Sequence, residues 1–165
     1  GAPVSRQVAI TVPTASLPPT SPMTIFVGDG YHFRVRDGRV LLLLPEATPG
    51  AEPFDTRFDP GWLDQVRRRT AARVPVLAGV AIDEAGCWCG LYEMSPDHHA
   101  IVGRGGPANL WHLAGSSGHG VMHSPALGEA VAQMLVHGAA HRPDLAPLRP
   151  GRFADGAALP APVLL

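Results

Sequence analysis

At 165 residues, with 45% hydrophobic residues and a formal net charge of −1, the chain has the size and composition of one folded domain. That balance excludes the disordered class and supplies no positive field for nucleic acid or an anionic membrane surface. All 13 basic residues are arginine, so lysine Schiff-base and phosphate-loop lysine chemistry are excluded as well.

Residues 7–12, QVAITV, alternate and are β-branched, which predicts a strand. A proline-rich loop, PTASLPPTSP, follows, and MTIFV then reads as a short strand. In YHFRVRDGRVLLLLPE two β-rich runs flank Asp37-Gly38, the favoured central pair of a type I′ turn, so a hairpin is predicted. His32, Arg34 and Arg36 share one face of its first strand, and Tyr31, Phe33 and Val35 the other. After the loop ATPGAEPFDTRF, Asp59-Pro60 supplies an N-cap and first-turn pair for a helix over 60–73. Trp62, Leu63, Val66 and Thr70 fall on its apolar face, and Arg67, Arg68, Arg69 and Arg73 mostly on the other, where a solvated face is the expectation.

From Val76 to Tyr92 the pattern is strand-like again, broken at DEAG. AIVG and NLWHLAG follow as short strands, and GSSGHG (115–120) leads into a helix that buries Leu127, Ala130, Val131, Met134 and Leu135 and stops at Gly138. Pro125 removes a donor and clashes with the carbonyl four residues earlier, which predicts an irregular first turn over 120–124. The remaining tail, LRPGRFADGAALPAPVLL, reads as largely irregular. Several strands, one hairpin and two helices make an α+β (α/β-like) fold.

A strand, a glycine-rich turn and a helix in that order place the turn where open α/β sheets bind ligands. Gly115, Gly118 and Gly120 permit positive φ and a bare backbone, and the helix start offers unpaired N–H groups to an anionic or electron-rich group. A tight turn that needs glycine only for packing satisfies the same residues. His119 and His123 have helical metal-ligand spacing but no third ligand at motif spacing, so no metal is expected. Ser117, His119 and Asp97 could form a hydrolase triad, yet the nucleophile-elbow pattern is missing, and a turn or cap role is the default for Asp97. Cys87 and Cys89 are the only cysteines, and a bridge between them would strain the backbone, so free thiols in a reducing compartment are expected. With no run of 18 apolar residues and no signal-peptide order at the start, a cytoplasmic protein is expected.

The run CWCGLYEMSPDHHAIVGRGGPANLWHLAGSSGHGVMHSPALGEAVAQML resembles the C-terminal part of the FAD-dependent amino-acid oxidoreductases, the superfamily of sarcosine oxidase, dimethylglycine dehydrogenase, glycine oxidase and D-amino-acid oxidase. The shared features are GLYxMSPD at 90–97, the apolar strand at 109–114 and GSSGHG at 115–120; the RF at 152–153 also fits. The resemblance implies a partial substrate-binding domain over 1–88, with an antiparallel-rich sheet and a helix, and a C-terminal segment of the FAD-binding domain over 89–165. It implies hydride transfer to flavin from a C–N bond of a small amine or amino acid. By the same resemblance Gly90, Leu91, Tyr92, Ser117, Gly118, His119, Gly120, Val121 and Met122 are FAD-contact candidates. Tyr31, His32 and Arg34 are candidates for the substrate side.

Three departures qualify the resemblance. The position where some members link a cysteine covalently to flavin is Gly90, so FAD is expected to be noncovalent. Several members carry a substrate-pairing lysine where this chain has Met122, so an acidic substrate would need an arginine such as Arg34 or Arg36. The strand–GxGxxG–helix unit that holds the ADP half of FAD is absent from the sequence, and GRGG at 103–106 does not replace it. The expectation is a C-terminal piece whose partner is a missing N-terminal half or subunit, inactive alone and prone to self-association. A cofactor-free assembly or partner-binding domain that keeps the family fold is the alternative.

Overall fold

The computed structural model describes residues 3–45, 52, 54–140 and 144–161. Apart from its extreme ends, the chain divides into two units, Val4–Leu91 and Tyr92–Val163. The fold is mixed α/β, with antiparallel sheets and two α-helices.

The N-terminal unit is built on β1 (Pro3–Ile10), β2 (Thr24–Ile25), β3 (His32–Arg36), β4 (Arg39–Leu43), α1 (Pro60–Arg73) and the start of β5 (Trp88–Glu93), whose last two residues belong to the C-terminal unit, in the sheet order β2-β3-β4-β1-β5. The hairpin joining β3 to β4 turns on Asp37 (φ 52°) and Gly38 (φ 69°), both left-handed as a type I′ turn requires. Its register sets Phe33 opposite Leu42 and Val35 opposite Val40, while β1 sets Ala9 against the other side of Leu42. Period-two alternation then sends Phe33, Val40, Leu42 and Leu44 into one core with Tyr31. α1 contributes Trp62, Leu63 and Val66 to that core, and the Trp62 indole N–H donates to the Leu44 carbonyl at 3.2 Å. The Asp59 carboxylate accepts from Gly61 N at 2.8 Å, which caps the helix as its sequence predicts.

Three of the four arginines on α1 are held in ion pairs. Arg67 pairs with Asp64 and Glu84, and Arg69 and Arg73 share Asp29, at 2.8 and 3.1 Å. The strand expected from Val76 does not form before β5. Pro75 lacks a donor and opens a 3₁₀ turn, Pro75–Leu77, closed by Ala78 N on the Pro75 carbonyl. Only Ile82 keeps a strand-like partner, an isolated bridge to Thr11.

The C-terminal unit carries β6 (Ile101–Arg104), β7 (Trp111–Ala114) and α2 (Gly120–His137). β6 and β7 pair antiparallel, with Val102 opposite Leu113. Val102, Ala100, Leu127, Ala130 and Leu145 form its core, and Val131, Met134 and Leu148 pack on it. Leu135, expected on the buried face, is 56% exposed: the stripe that packs runs through 127, 130, 131 and 134, and position 135 falls beside it. α2 runs unbroken through Pro125, and the irregularity expected over 120–124 is confined to an i−3 bond from Met122 N to the His119 carbonyl and the donor missing at Pro125. Pro125 cannot bond the Val121 carbonyl, and the Ser124 hydroxyl donates to that oxygen instead, at 3.3 Å. Gly138, at φ 79°, closes the helix with its N–H on the Met134 carbonyl. The tail is largely irregular as expected, apart from one 3₁₀ turn, Pro150–Phe153, and it follows another at Ala146–Leu148.

Candidate functional site

The glycine-rich turn is tied at both ends by backbone bonds. Met94, just past β5, bridges Ser116, and Ser117 N donates to the Glu93 carbonyl at 3.1 Å. Within the turn Gly115 (φ 69°), Ser117 (φ 49°) and Gly118 (φ 88°) are left-handed. Such a conformation costs an L-residue about 1–2 kcal/mol, and at Ser117 the side chain offsets it. Its buried hydroxyl donates to the Gly115 carbonyl at 3.0 Å and accepts from Ser95 N at 3.1 Å.

Gly118 has a close neighbour in the protein itself. A β-carbon there would collide with the ring carbons of Tyr92, so the bare α-carbon is what leaves room for the ring against the turn. At Gly120 the space is ordinary, with only Ser116 Cβ within reach at 3.7 Å.

Behind the turn lies a buried ion pair. Asp97 is 4% exposed and Arg152 0% exposed, and the guanidinium grips the carboxylate through Nε and Nη2, both at 2.7 Å. The remaining donors of Arg152 go to the Leu148, Arg149 and His99 carbonyls. Asp97 also accepts from His99 N, Leu159 N and the Ser95 hydroxyl. The Arg152 guanidinium, followed by those backbone donors, holds the Asp97 carboxyl far below the usual carboxylate range despite burial. Asp97 therefore has no part in a hydrolase triad. Ser117 is bonded to Gly115 and Ser95, and the His119 Nδ1–H donates to the Ser117 carbonyl at 3.2 Å. The pair escaped sequence reasoning because its members lie 55 residues apart; its only trace was the RF of the tail.

On the open side, His119 is the N-cap of α2 without a side-chain cap, and its ring stacks on His123 at 5.6 Å. Met122 N and His123 N both reach the His119 carbonyl, while Gly120 N and Val121 N have no partner among the described residues. Val121 is 92% and Met122 68% exposed. The turn thus presents two free N–H groups at the positive end of an 18-residue helix. Among the described residues no three His, Cys, Asp or Glu side chains gather into a metal set.

In the N-terminal unit Gly90 and Leu91 lie on β5, with open space over Gly90 and Leu91 exposed. Arg34 is exposed, and His32 is half-buried with Nδ1 on the Gly30 carbonyl at 2.8 Å. Tyr31 corrects the sequence expectation of a substrate-side residue. It is 0% exposed, its hydroxyl is bonded to Thr70 at 2.8 Å, and burial pushes the phenol up, so it is a core residue. Cys87 and Cys89 are unbridged, and burial raises both thiols, which disfavours the reactive thiolate.

A left-handed glycine turn thus opens onto a bare helix N-terminus, and comparison with known proteins supplies the class. The chain belongs to the FAD dependent oxidoreductase family, whose sequence profile matches residues 2–134. It is 33% identical over 116 residues to FAD-dependent oxidoreductase domain-containing protein 1 of Bos taurus, covering 67% of this chain and 22% of that protein. Against the protein of the same name from Xenopus laevis it is 39% identical over 70 residues, 41% of this chain and 14% of that one. L-proline dehydrogenase from P. horikoshii matches 94% of this chain at 27% identity, with a TM-score of 0.81. Glycine oxidase from Geobacillus kaustophilus matches 89% at 26% identity, with a TM-score of 0.72. The chain spans 41% and 38% of those two structures, so it corresponds to less than half of either. Among the described residues no helix is long and apolar enough to cross a membrane.

Proposed function

We propose that this chain is the C-terminal portion of an FAD-dependent oxidoreductase that oxidises a C–N bond of a small amine or amino acid. The observation that carries the reading is the pair of unpartnered N–H groups of Gly120 and Val121 at the exposed start of α2, in a chain of this family. Those donors suit the electron-rich pyrimidine edge of a flavin, and the helix dipole favours negative charge there. Val121 and Met122 would cover that edge with apolar surface, His119 would flank it, and Gly118 and Ser117 would set its height. Tyr92, held against Gly118, would border it, and Gly90 and Leu91 are the further candidates on β5. When bound, FAD supplies the two-electron acceptor for a hydride leaving the carbon next to nitrogen.

Noncovalent binding is part of the proposal, supported by Gly90, which offers no thiol for a covalent link at that position. Substrate-side candidates reduce to His32 and Arg34, with Arg36 beside them, since Tyr31 is committed to the core. The likeness to a proline dehydrogenase and a glycine oxidase supports an amino-acid or related amine substrate. The ADP half of FAD requires a glycine-rich unit this sequence lacks, so the isolated chain is proposed to bind FAD weakly and to be inactive.

The test is a visible spectrum of this chain joined or co-expressed with the N-terminal half of a family member that matches it. Flavin absorbance near one equivalent, bleached by an amine or amino acid, supports the reading. An assembly without flavin that cannot be reconstituted with FAD overturns it in favour of a cofactor-free assembly domain. Tight stoichiometric FAD binding by the isolated chain would overturn the proposed division of the cofactor site.

A further inference from the structure

We infer that Arg152, Asp97 and Ser95 are positioning residues for the cofactor-facing turn, acting through the Ser117 hydroxyl. The inference rests on the FAD reading above only for its functional consequence; the relay itself is a property of this chain.

The geometry is continuous and buried. Arg152 holds Asp97 bidentately at 2.7 Å, Asp97 Oδ1 accepts from the Ser95 hydroxyl at 3.3 Å, and Ser95 N in turn donates to Ser117 Oγ at 3.1 Å, with the two hydroxyl oxygens 3.3 Å apart. Ser95, Asp97, Ser117 and Arg152 are 2, 4, 1 and 0% exposed, so water does not compete for these bonds. Ser117 is the one non-glycine residue of the turn with left-handed φ, and its hydroxyl bonds to Gly115 and Ser95 oppose relaxation to an ordinary conformation. Its position fixes the next peptide, and so the direction in which Gly120 N and Val121 N point. The tail is part of the same relay, since Leu159 N binds Asp97 Oδ2 and the His99 ring meets the Pro160 carbonyl at 3.0 Å. The residues following the helix therefore act as a brace for the turn preceding it.

The ion pair sits too deep for its removal to be a clean test, because a lost partner leaves a buried charge. Ser95→Ala keeps the pair and cuts the relay. Hydrogen exchange on the isolated chain should then show the amides of residues 95 and 117 exchanging roughly ten-fold faster, the scale set by losing one charge-assisted hydrogen bond. Amides of α2 at Val131 and Met134 should be unchanged. Ser117→Ala should give a similar increase, and Ser95→Ala with Ser117→Ala should add little to either. Unchanged exchange at 95 and 117, or equal acceleration in α2, overturns the relay.

In the assembled flavoprotein, Ser95→Ala should raise the FAD dissociation constant roughly ten-fold while kcat at saturating FAD stays at the parent value, a split that a general loss of structure would not give. A turn that loosens without any change in FAD affinity upholds the relay and overturns the FAD placement. An unloosened turn with bound flavin does the reverse.

Discussion

Two turns with left-handed residues illustrate opposite ways of fixing a backbone. The hairpin turn at Asp37-Gly38 stands largely in the open: nothing lies within 4 Å of a β-carbon built on Gly38, Asp37 makes an exposed pair with Arg36, and a single backbone bond from outside the hairpin, Thr14 N to the Gly38 carbonyl at 2.8 Å, reaches it among the described residues. Its conformation follows from its two residues and the register of the strands beside them. The turn at Gly115–Gly120 is held from outside, by the Tyr92 ring on Gly118, the Ser95 β-carbon on Gly115 and a buried carboxylate–guanidinium pair behind Ser117. A turn that only reverses the chain can be specified locally, whereas one that must present two free N–H groups at a set angle takes support from distant residues.

The contrast breaks most sharply at Arg152. Arg152→Met should destabilise the C-terminal unit by about 3–5 kcal/mol by leaving Asp97 charged and unpaired, measured by urea unfolding. Asp37→Asn, at the hairpin, should stay within about 0.5 kcal/mol. A parallel pair of glycine variants comes next. Gly118→Ala meets both the positive φ and the Tyr92 ring and should cost roughly 2–4 kcal/mol. Gly38→Ala meets the φ alone and should cost about 1–2 kcal/mol. Adding Tyr92→Ala to Gly118→Ala should recover the steric part of the loss.

Acid should separate the turns too. Asp97 is ionised in the folded chain far below the ordinary value of about 4 that it regains on unfolding, so the unfolded state takes up the proton first. Its contribution to stability is complete above about pH 4–5 and falls as pH drops through and below that value. Thermal melts of the parent should therefore fall with acid more steeply than those of Asp97→Asn. The smallest effect is expected at Ser124→Ala, which leaves the Val121 carbonyl to water and should cost about 0.5–1 kcal/mol.

The same difference explains what the sequence made legible. Asp37-Gly38 announced the hairpin, Asp59-Pro60 the start of α1, and the 3-4 spacing of Leu127, Ala130, Val131 and Met134 the packed face of α2, because each signal is confined to a few neighbouring residues. The apolar run from Val76 to Ile82 misled because a prior proline turns it into a 3₁₀ segment before it can pair. Tyr31 looked available because strand alternation says which residues share a face but not that a hydroxyl is already bound to Thr70. Glycines at 115, 118 and 120 marked the turn, but the need for Gly118 came from an aromatic ring 26 residues away, and the brace at Arg152 from a tail with no periodic pattern.

The depth of Arg152 also bears on proteolysis. Proteases of the trypsin type cleave after arginine by drawing its side chain into an acidic pocket, and in this chain the Arg152 side chain is fully covered. Scission of the Arg152–Phe153 bond can occur only after the tail has lifted away from Asp97. The rate of that cut, set against cuts at exposed arginines such as Arg34 or Arg36, is a built-in clock for how often the tail lets go.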